Sequence, residues 1–328
     1  MLYKKARKFK EELSVISFGC WGISGSSVWN QSNDADSTRA IHRAIDQGIN
    51  LFDVAPVYGF GHAEEVLGKA LLGKRDQVII ATKCGFVWDA GITNVRKCLK
   101  KDSVLREIDE SLRRLQTDHV DLYQLHWPDH GTAIEETMEA IAHLLAVGKI
   151  RYAGLTNFPI SLAERAGRCV GIASQQGLYN LLERNPTYYY DHILEYRTEK
   201  EILPYVREKD QAFLAYSPLL QGLLTGSFAR SENYDPNDIR NKNPKLNGAL
   251  FAKYYAAAQR LKRIADELGR PLNQVALRWL IQKAEITSVI TGALDEKQLL
   301  SNLGAIEVTL SPEVLGKINE VIRDFETE

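Results

Sequence analysis

The chain has 328 residues, 45% of them hydrophobic and 25% charged, with a net charge of −1. That composition supplies a large core and excludes the basic footprint of a nucleic-acid or anionic-membrane binder, leaving a small molecule or a protein as partner. Four cysteines, Cys20, Cys84, Cys98 and Cys169, stand far apart with no C-x-x-C pair, so no zinc site or disulfide framework is expected and a reducing compartment fits.

The first seven residues lack the apolar stretch of a signal peptide, and no run of about 18 apolar residues follows. A cytoplasmic protein without a membrane span is expected. Residues 2–13 precede the first strand and read as a short hairpin. Strand-like runs then recur at 15–18, 49–52, 78–81, 120–123, 152–155, 172–175, 212–215 and 288–290, most of them too short for buried helices. Amphipathic segments lie between them. In 103–115, Val104, Ile108, Leu112 and Leu115 share one stripe, and 133–147 behaves similarly and stops at Gly148. The segment 312–325 reads as a closing helix with Ser311 as its N-cap. Eight alternations of strand and helix imply parallel pairing with helices outside. The fold class is therefore α/β, a (β/α)8 TIM barrel with an N-terminal hairpin and a C-terminal helix, as one domain over 1–328. The competing open sheet would carry a Gly-rich first turn, but Gly19-Cys20-Trp21-Gly22-Ile23-Ser24-Gly25 does not match G-x-G-x-x-G. The longest irregular stretch is 218–251, long enough to be functional or mobile.

A barrel of this kind gathers its chemistry at the C-terminal ends of its strands. Asp53 ends the second strand, with Tyr58 in the loop Phe52-Asp53-Val54-Ala55-Pro56-Val57-Tyr58-Gly59. Lys83 ends the third strand and His126 the fourth. A phenol titrates near 10, and a neighbouring ammonium is expected to lower that value. Asp53 can hold the lysine, and His126 can donate to a substrate oxygen that gains charge during hydride attack. Taken singly, a strand-end lysine is more often an internal ion pair, and a lone tyrosine or histidine is packing. Four together at neighbouring strand ends are the discriminating feature, consistent with an acid–base site as readily as with a structural cluster, and no partnered Ser or Cys is in view for acyl transfer.

The stretch 52–59 resembles the active-site signature of the aldo-keto reductase superfamily. Ala81-Thr82-Lys83, Leu125-His126-Trp127-Pro128-Asp129 and Gly154-Leu155-Thr156-Asn157-Phe158 follow in the family's order, and the similarity spans nearly the whole chain. The resemblance implies an oxidoreductase for aldehydes, ketones or sugars with NADP or NAD as cofactor, Tyr58 as general acid/base, and Asp53, Lys83 and His126 completing the tetrad.

It further implies that Thr156, Asn157 and Gln176 contact the nicotinamide amide, with Gln175 as the competing register. Tyr216 would stack on the ring, flanked by Ser217, Pro218 and Leu219. Cys20 and Trp21 would border it, while Gly222, Leu223 and Thr225 would lie over the pyrophosphate. Gly292, Ala293, Gln298 and Asn302 would contact the adenosine side. One segment departs from the family: Ile290-Thr291-Gly292-Ala293-Leu294-Asp295-Glu296-Lys297 has Thr291 for the usual proline. Leu294 and Asp295 stand where a basic residue commonly meets the 2'-phosphate, so a charge-assisted pair is missing.

Trp21, Trp88 and Trp127, together with Trp29, are candidates for a substrate wall, although rim packing is the commoner fate of such rings. Arg240 and Asn243 are expected in a solvated loop, and the run Tyr188-Tyr189-Tyr190 carries no chemistry of its own. A second reading, a cofactor-binding regulatory barrel, follows from the resemblance to potassium-channel β subunits. A third, an isomerase or lyase for phosphorylated sugars, would need a phosphate loop near Gly222 and Gly292. No feature of the sequence indicates the oligomeric state.

Overall fold

The computed structural model describes residues 1–25, 33–89, 91–92, 94–228 and 238–325. Trp29 and part of the stretch 218–251 lie outside the described residues.

Eight parallel strands close a barrel: β1 (Ile16–Gly19), β2 (Leu51–Asp53), β3 (Ile79–Cys84), β4 (Val120–Leu125), β5 (Ile150–Thr156), β6 (Ile172–Leu178), β7 (Ala212–Tyr216) and β8 (Ser288–Gly292). Each coincides with a predicted run, and β8 returns to β1 with Gly292 beside Gly19. The outer helices are α1 (Asp34–Asp46), α2 (His62–Ala70), α3 (Lys101–Leu115), α4 (Ile134–Ala146), α5 (Ile160–Cys169), α6 (Leu203–Glu208), α7 (Phe251–Glu267), α8 (Leu272–Ile281), α9 (Glu296–Leu303) and α10 (Pro312–Ile322). The predicted stripe of α3 buries Val104, Ile108 and Leu115. Ser311 caps α10 by accepting from the Val314 amide at 3.3 Å.

Successive strand residues face opposite sides. In β2 and β3, Leu51, Ile79 and Ala81 face the barrel interior and pack with Leu122, Ala212, Leu214 and Ile290. The predicted hairpin, Tyr3–Lys5 with Glu12–Ser14, plugs the base of this interior. Its turn inserts Phe9 and its second strand Leu13, and Phe9 meets Tyr152 at 4.5 Å. A larger apolar shell lies between barrel and helices. The base is thus sealed by chain, and chemistry is left to the opposite mouth.

Two hairpins that the sequence did not reveal stand at that mouth. One pairs Phe86–Trp88 with Val95–Lys97 after β3, and the other pairs Tyr188–Tyr189 with His192–Ile193 after β6. All four cysteines are free thiols, with only Cys169 exposed. No helix among the described residues is long and apolar enough to cross a membrane.

Candidate active site

Strand register builds the site. Gly19 pairs with Asp53, Asp53 with Ala81 and Lys83 with Gln124, which sets the ends of β1 to β4 side by side. The Lys83 side chain has no exposure. Its ammonium donates to Asp53 Oδ2 at 2.8 Å, to the Val54 carbonyl at 3.0 Å and to the Tyr58 hydroxyl at 3.3 Å. A buried ammonium is tolerable only with such a set of acceptors. The other Asp53 oxygen accepts from Gln176 Nε2 at 2.8 Å and Gln124 Nε2 at 3.3 Å.

Tyr58 is turned toward this ammonium by a tight loop. Gly59, Phe60 and Gly61 all have left-handed φ, and a Cβ on Gly59 would lie 2.1 Å from the Ser24 carbonyl oxygen. Behind the loop, fully buried Glu64 receives the Arg114 guanidinium and the Thr82 hydroxyl, each at 2.7 Å. Glu64 thereby ties the start of α2 to the strand residue preceding Lys83. His126 is buried and meets Tyr58 edge-on, with ring centroids 6.1 Å apart.

The electrostatics differ from the sequence expectation in one respect. Lys83 was expected to pull the phenol down, but burial, reinforced by the Asp53 carboxylate and Cys20, pushes Tyr58 well above 10. Desolvation of a phenolate outweighs one ammonium that is already shared with Asp53. Burial, with help from Lys83 and His192, holds His126 well below 6.5. The site therefore presents a protonated phenol and a neutral imidazole, which keeps one N–H donor.

Around this centre, Asn157 has a left-handed φ of 65°. Its amide donates to the His126 carbonyl at 3.2 Å, and its oxygen accepts from the Tyr216 hydroxyl at 2.9 Å and the Tyr196 hydroxyl at 3.0 Å. Thr156 lies 3.5 Å from Gln124 Oε1. Gln176, not Gln175, faces the site, because Gln175 bonds Gln211 instead. Cys20 is buried and Trp21 tilts against Tyr58 at 6.5 Å. Beyond β7 come Ser217, Pro218 and Leu219, then the turn Leu220–Thr225, which holds Gly222, Leu223 and Thr225. Positive φ at Ser217, Leu220, Gln221, Gly222 and Gly226 bends the chain sharply through this turn. The aromatic and amide side chains and this turn suit a nicotinamide dinucleotide.

At the end of β8, Gly292 is exposed and Ala293 buried, and Asn302 reaches back to the Gly292 carbonyl at 3.3 Å. Asp295 caps α9 by accepting from the Gln298 amide at 2.7 Å, while Gln298 accepts from the Leu294 amide at 3.0 Å.

The tryptophans separate. Trp21 touches Tyr58, whereas half-buried Trp88 packs on Phe60 at 5.4 Å. Trp127 is buried between His192 and Lys97. Asn243 is buried and bonds Gln221, contrary to the solvated loop expected, and Arg240 pairs with Asp238. Sequence reasoning missed Gln124, Tyr196 and the Glu64–Arg114 pair. Only the alternation that puts Gln124 on the inner face with Leu122 could have flagged the first.

Comparison with known proteins assigns the family and the fold. The model of the Aldo/keto reductase family matches residues 15–323. The chain is 35% identical to aldo-keto reductase YhdN of Bacillus subtilis, covering 95% of this chain and 91% of the relative. It is 33% identical to a probable voltage-gated potassium channel subunit beta of Arabidopsis thaliana, over 98% and 97%. With the NADH-specific methylglyoxal reductase of Escherichia coli the identity is 30%, over 91% of each chain. Among solved structures, a glycerol dehydrogenase of Gluconobacter oxydans superposes with a TM-score of 0.86 at 31% identity, over 99% and 96%.

Proposed function

The chain belongs to the aldo/keto reductase family of nicotinamide-dependent oxidoreductases, and from that premise we propose that it reduces a small aldehyde, ketone or sugar, with Tyr58 delivering the proton. The observation that carries this reading is the Lys83 ammonium, bonded at once to Asp53 and to the Tyr58 hydroxyl. The nicotinamide, when bound, supplies the hydride. A carbonyl oxygen placed between the Tyr58 hydroxyl and the neutral His126 ring meets two donors as it gains negative charge. Tyr58 passes its proton to that oxygen, and Lys83 steadies the phenolate left behind. Asp53, held by Gln176 and Gln124, keeps the ammonium in place. The whole chain, 1–328, acts as one barrel domain.

Thr156, Asn157 and Gln176 would hold the carboxamide, and Tyr216, with its hydroxyl fixed by Asn157, would stack beneath the ring. The turn after β7 would take the pyrophosphate, and Gln298 and Asn302 the adenosine. Asp295 makes NADH the preferred cofactor. Its carboxylate already accepts from the Gln298 amide in the first turn of α9, so a 2'-phosphate there would meet like charge, with exposed Lys297 the one basic residue of the segment 290–302. A screen of carbonyls and sugars with NADH and NADPH, followed by nicotinamide absorbance, tests the reading. Turnover is expected, with NADH binding at least about tenfold tighter by fluorescence quenching; tighter NADPH would overturn the preference.

Similarity to the plant channel subunit favours a second reading, a regulatory barrel that holds cofactor. Cofactor binding with no turnover across the screen would select it.

A further inference from the structure

The tyrosine run 188–190 acquires a place in the fold. Tyr188, Asp191, His192 and Ile193 of its hairpin are exposed, yet Tyr189 and Tyr190 are half-buried. Tyr190 sits at the hairpin tip with a left-handed φ of 56°. Tyr189 lies edge-on to Tyr216 at 5.2 Å and to Tyr190 at 4.7 Å. Tyr190 meets Trp21 at 6.5 Å, and Trp21 meets Tyr58 at 6.5 Å. Tyr58 meets His126, which meets Phe86 at 5.1 Å. An unbroken series of rings thus crosses the barrel mouth, with Tyr58 near its middle.

The far side of Tyr190 is fastened. Gln221 Nε2 donates to its hydroxyl, and Gln221 Oε1 accepts from buried Asn243 at 3.0 Å. Gln221 is itself left-handed, at φ 51°. Two non-glycine residues in this conformation, bonded to each other, persist only where their surroundings hold them, and such strain gathers at ligand sites.

We infer that Tyr190 is a specificity-determining wall of the substrate site, selecting short aldehydes and ketones. The inference rests on the Tyr58-centred reading above. Trp21 and Tyr190 stand at 88° to one another, two walls of a corner beside the proton donor. Tyr189 supports that corner from behind and Gln221 from the side, so opening it breaks ring contacts and a hydrogen bond together. A short hydroxy- or oxo-substituted carbon chain can lay its C–H groups on these faces. A bulky substituent collides with Tyr190.

The test compares methylglyoxal with phenylglyoxal, which differ only in a methyl or a phenyl beside the same dicarbonyl. In the full-length protein, Tyr190→Ala is expected to raise the phenylglyoxal-to-methylglyoxal ratio of kcat/KM by about tenfold or more. Tyr190→Phe, which keeps the ring and loses the Gln221 bond, should move it by about threefold or less. Far-UV circular dichroism and the thermal midpoint report whether the fold of the variants survives. An unchanged ratio in Tyr190→Ala, with both aldehydes falling together, overturns the assignment, as does turnover of neither by the wild-type protein. Tyr58→Phe run alongside separates the two claims: retained turnover there defeats the proton-donor reading, while the ratio still judges Tyr190.

Discussion

Two buried aspartates, one at each end of the barrel, show how the same ion-pair chemistry serves different ends. At the base, Asp121 opens β4 and takes Arg75 at 2.7 Å, Arg151 at 2.9 Å and the Ile80 amide at 2.9 Å. Both guanidiniums reach solvent, and the cluster serves only to tie a strand to its neighbours. At the mouth, Asp53 closes β2 and meets a lysine with no exposure. That lysine has a third partner, Tyr58, which belongs to a loop. A carboxylate satisfied by backbone and arginine is structural. A carboxylate that orients an ammonium toward a protonated phenol is the one on which the proposed proton transfer rests.

The largest expected effect breaks the mouth. Lys83→Met should lower kcat about a thousandfold, because both the cation beside the phenolate and its anchor are lost. It should also destabilise the fold, since Asp53 keeps only amide donors. Asp121→Ala should instead cost about 2 kcal/mol by urea denaturation while kcat stays within about twofold. That is less than a fully buried pair would lose, because solvent already screens Arg151. A kcat loss in Asp121→Ala comparable to that of Lys83→Met would erase the distinction between the two ends.

A smaller effect concerns pH. As the proposed donor, Tyr58 can act only while protonated, and burial raises its value above 10. Reduction, measured as kcat/KM, should therefore hold level from about pH 6 to about pH 9 and fall only beyond about pH 10. His126, lowered below 6.5, should add no step near neutrality. Alcohol oxidation needs the phenolate and should rise with pH across the same range. An alkaline fall in reduction near pH 7 to 8 would restore the lowering by Lys83 that the sequence suggests.

Much of the frame was legible because it is local. Each barrel strand is a short apolar run, and each tetrad member ends a strand or follows one, so position along the chain implied position in space. Other features depend on distant partners. Glu64 and Arg114 lie on different helices, and nothing near either announces the other. Gln124 looked like an ordinary strand residue until the closing of the barrel brought Gln176 and Asp53 to it. The rim hairpins escaped because strands of two or three residues leave no periodicity to read. The direction of the Tyr58 shift escaped for another reason: desolvation depends on packing in three dimensions, whereas the Lys83 charge is visible in the sequence.

The measurement closest to the central claim is a single turnover by Tyr58→Phe with cofactor prebound. NADH affinity should stay within about twofold of wild type and carbonyl reduction should slow by about 10²–10⁴-fold, with the Lys83–Asp53 pair left intact. Reduction at the wild-type rate with cofactor bound would contradict that claim.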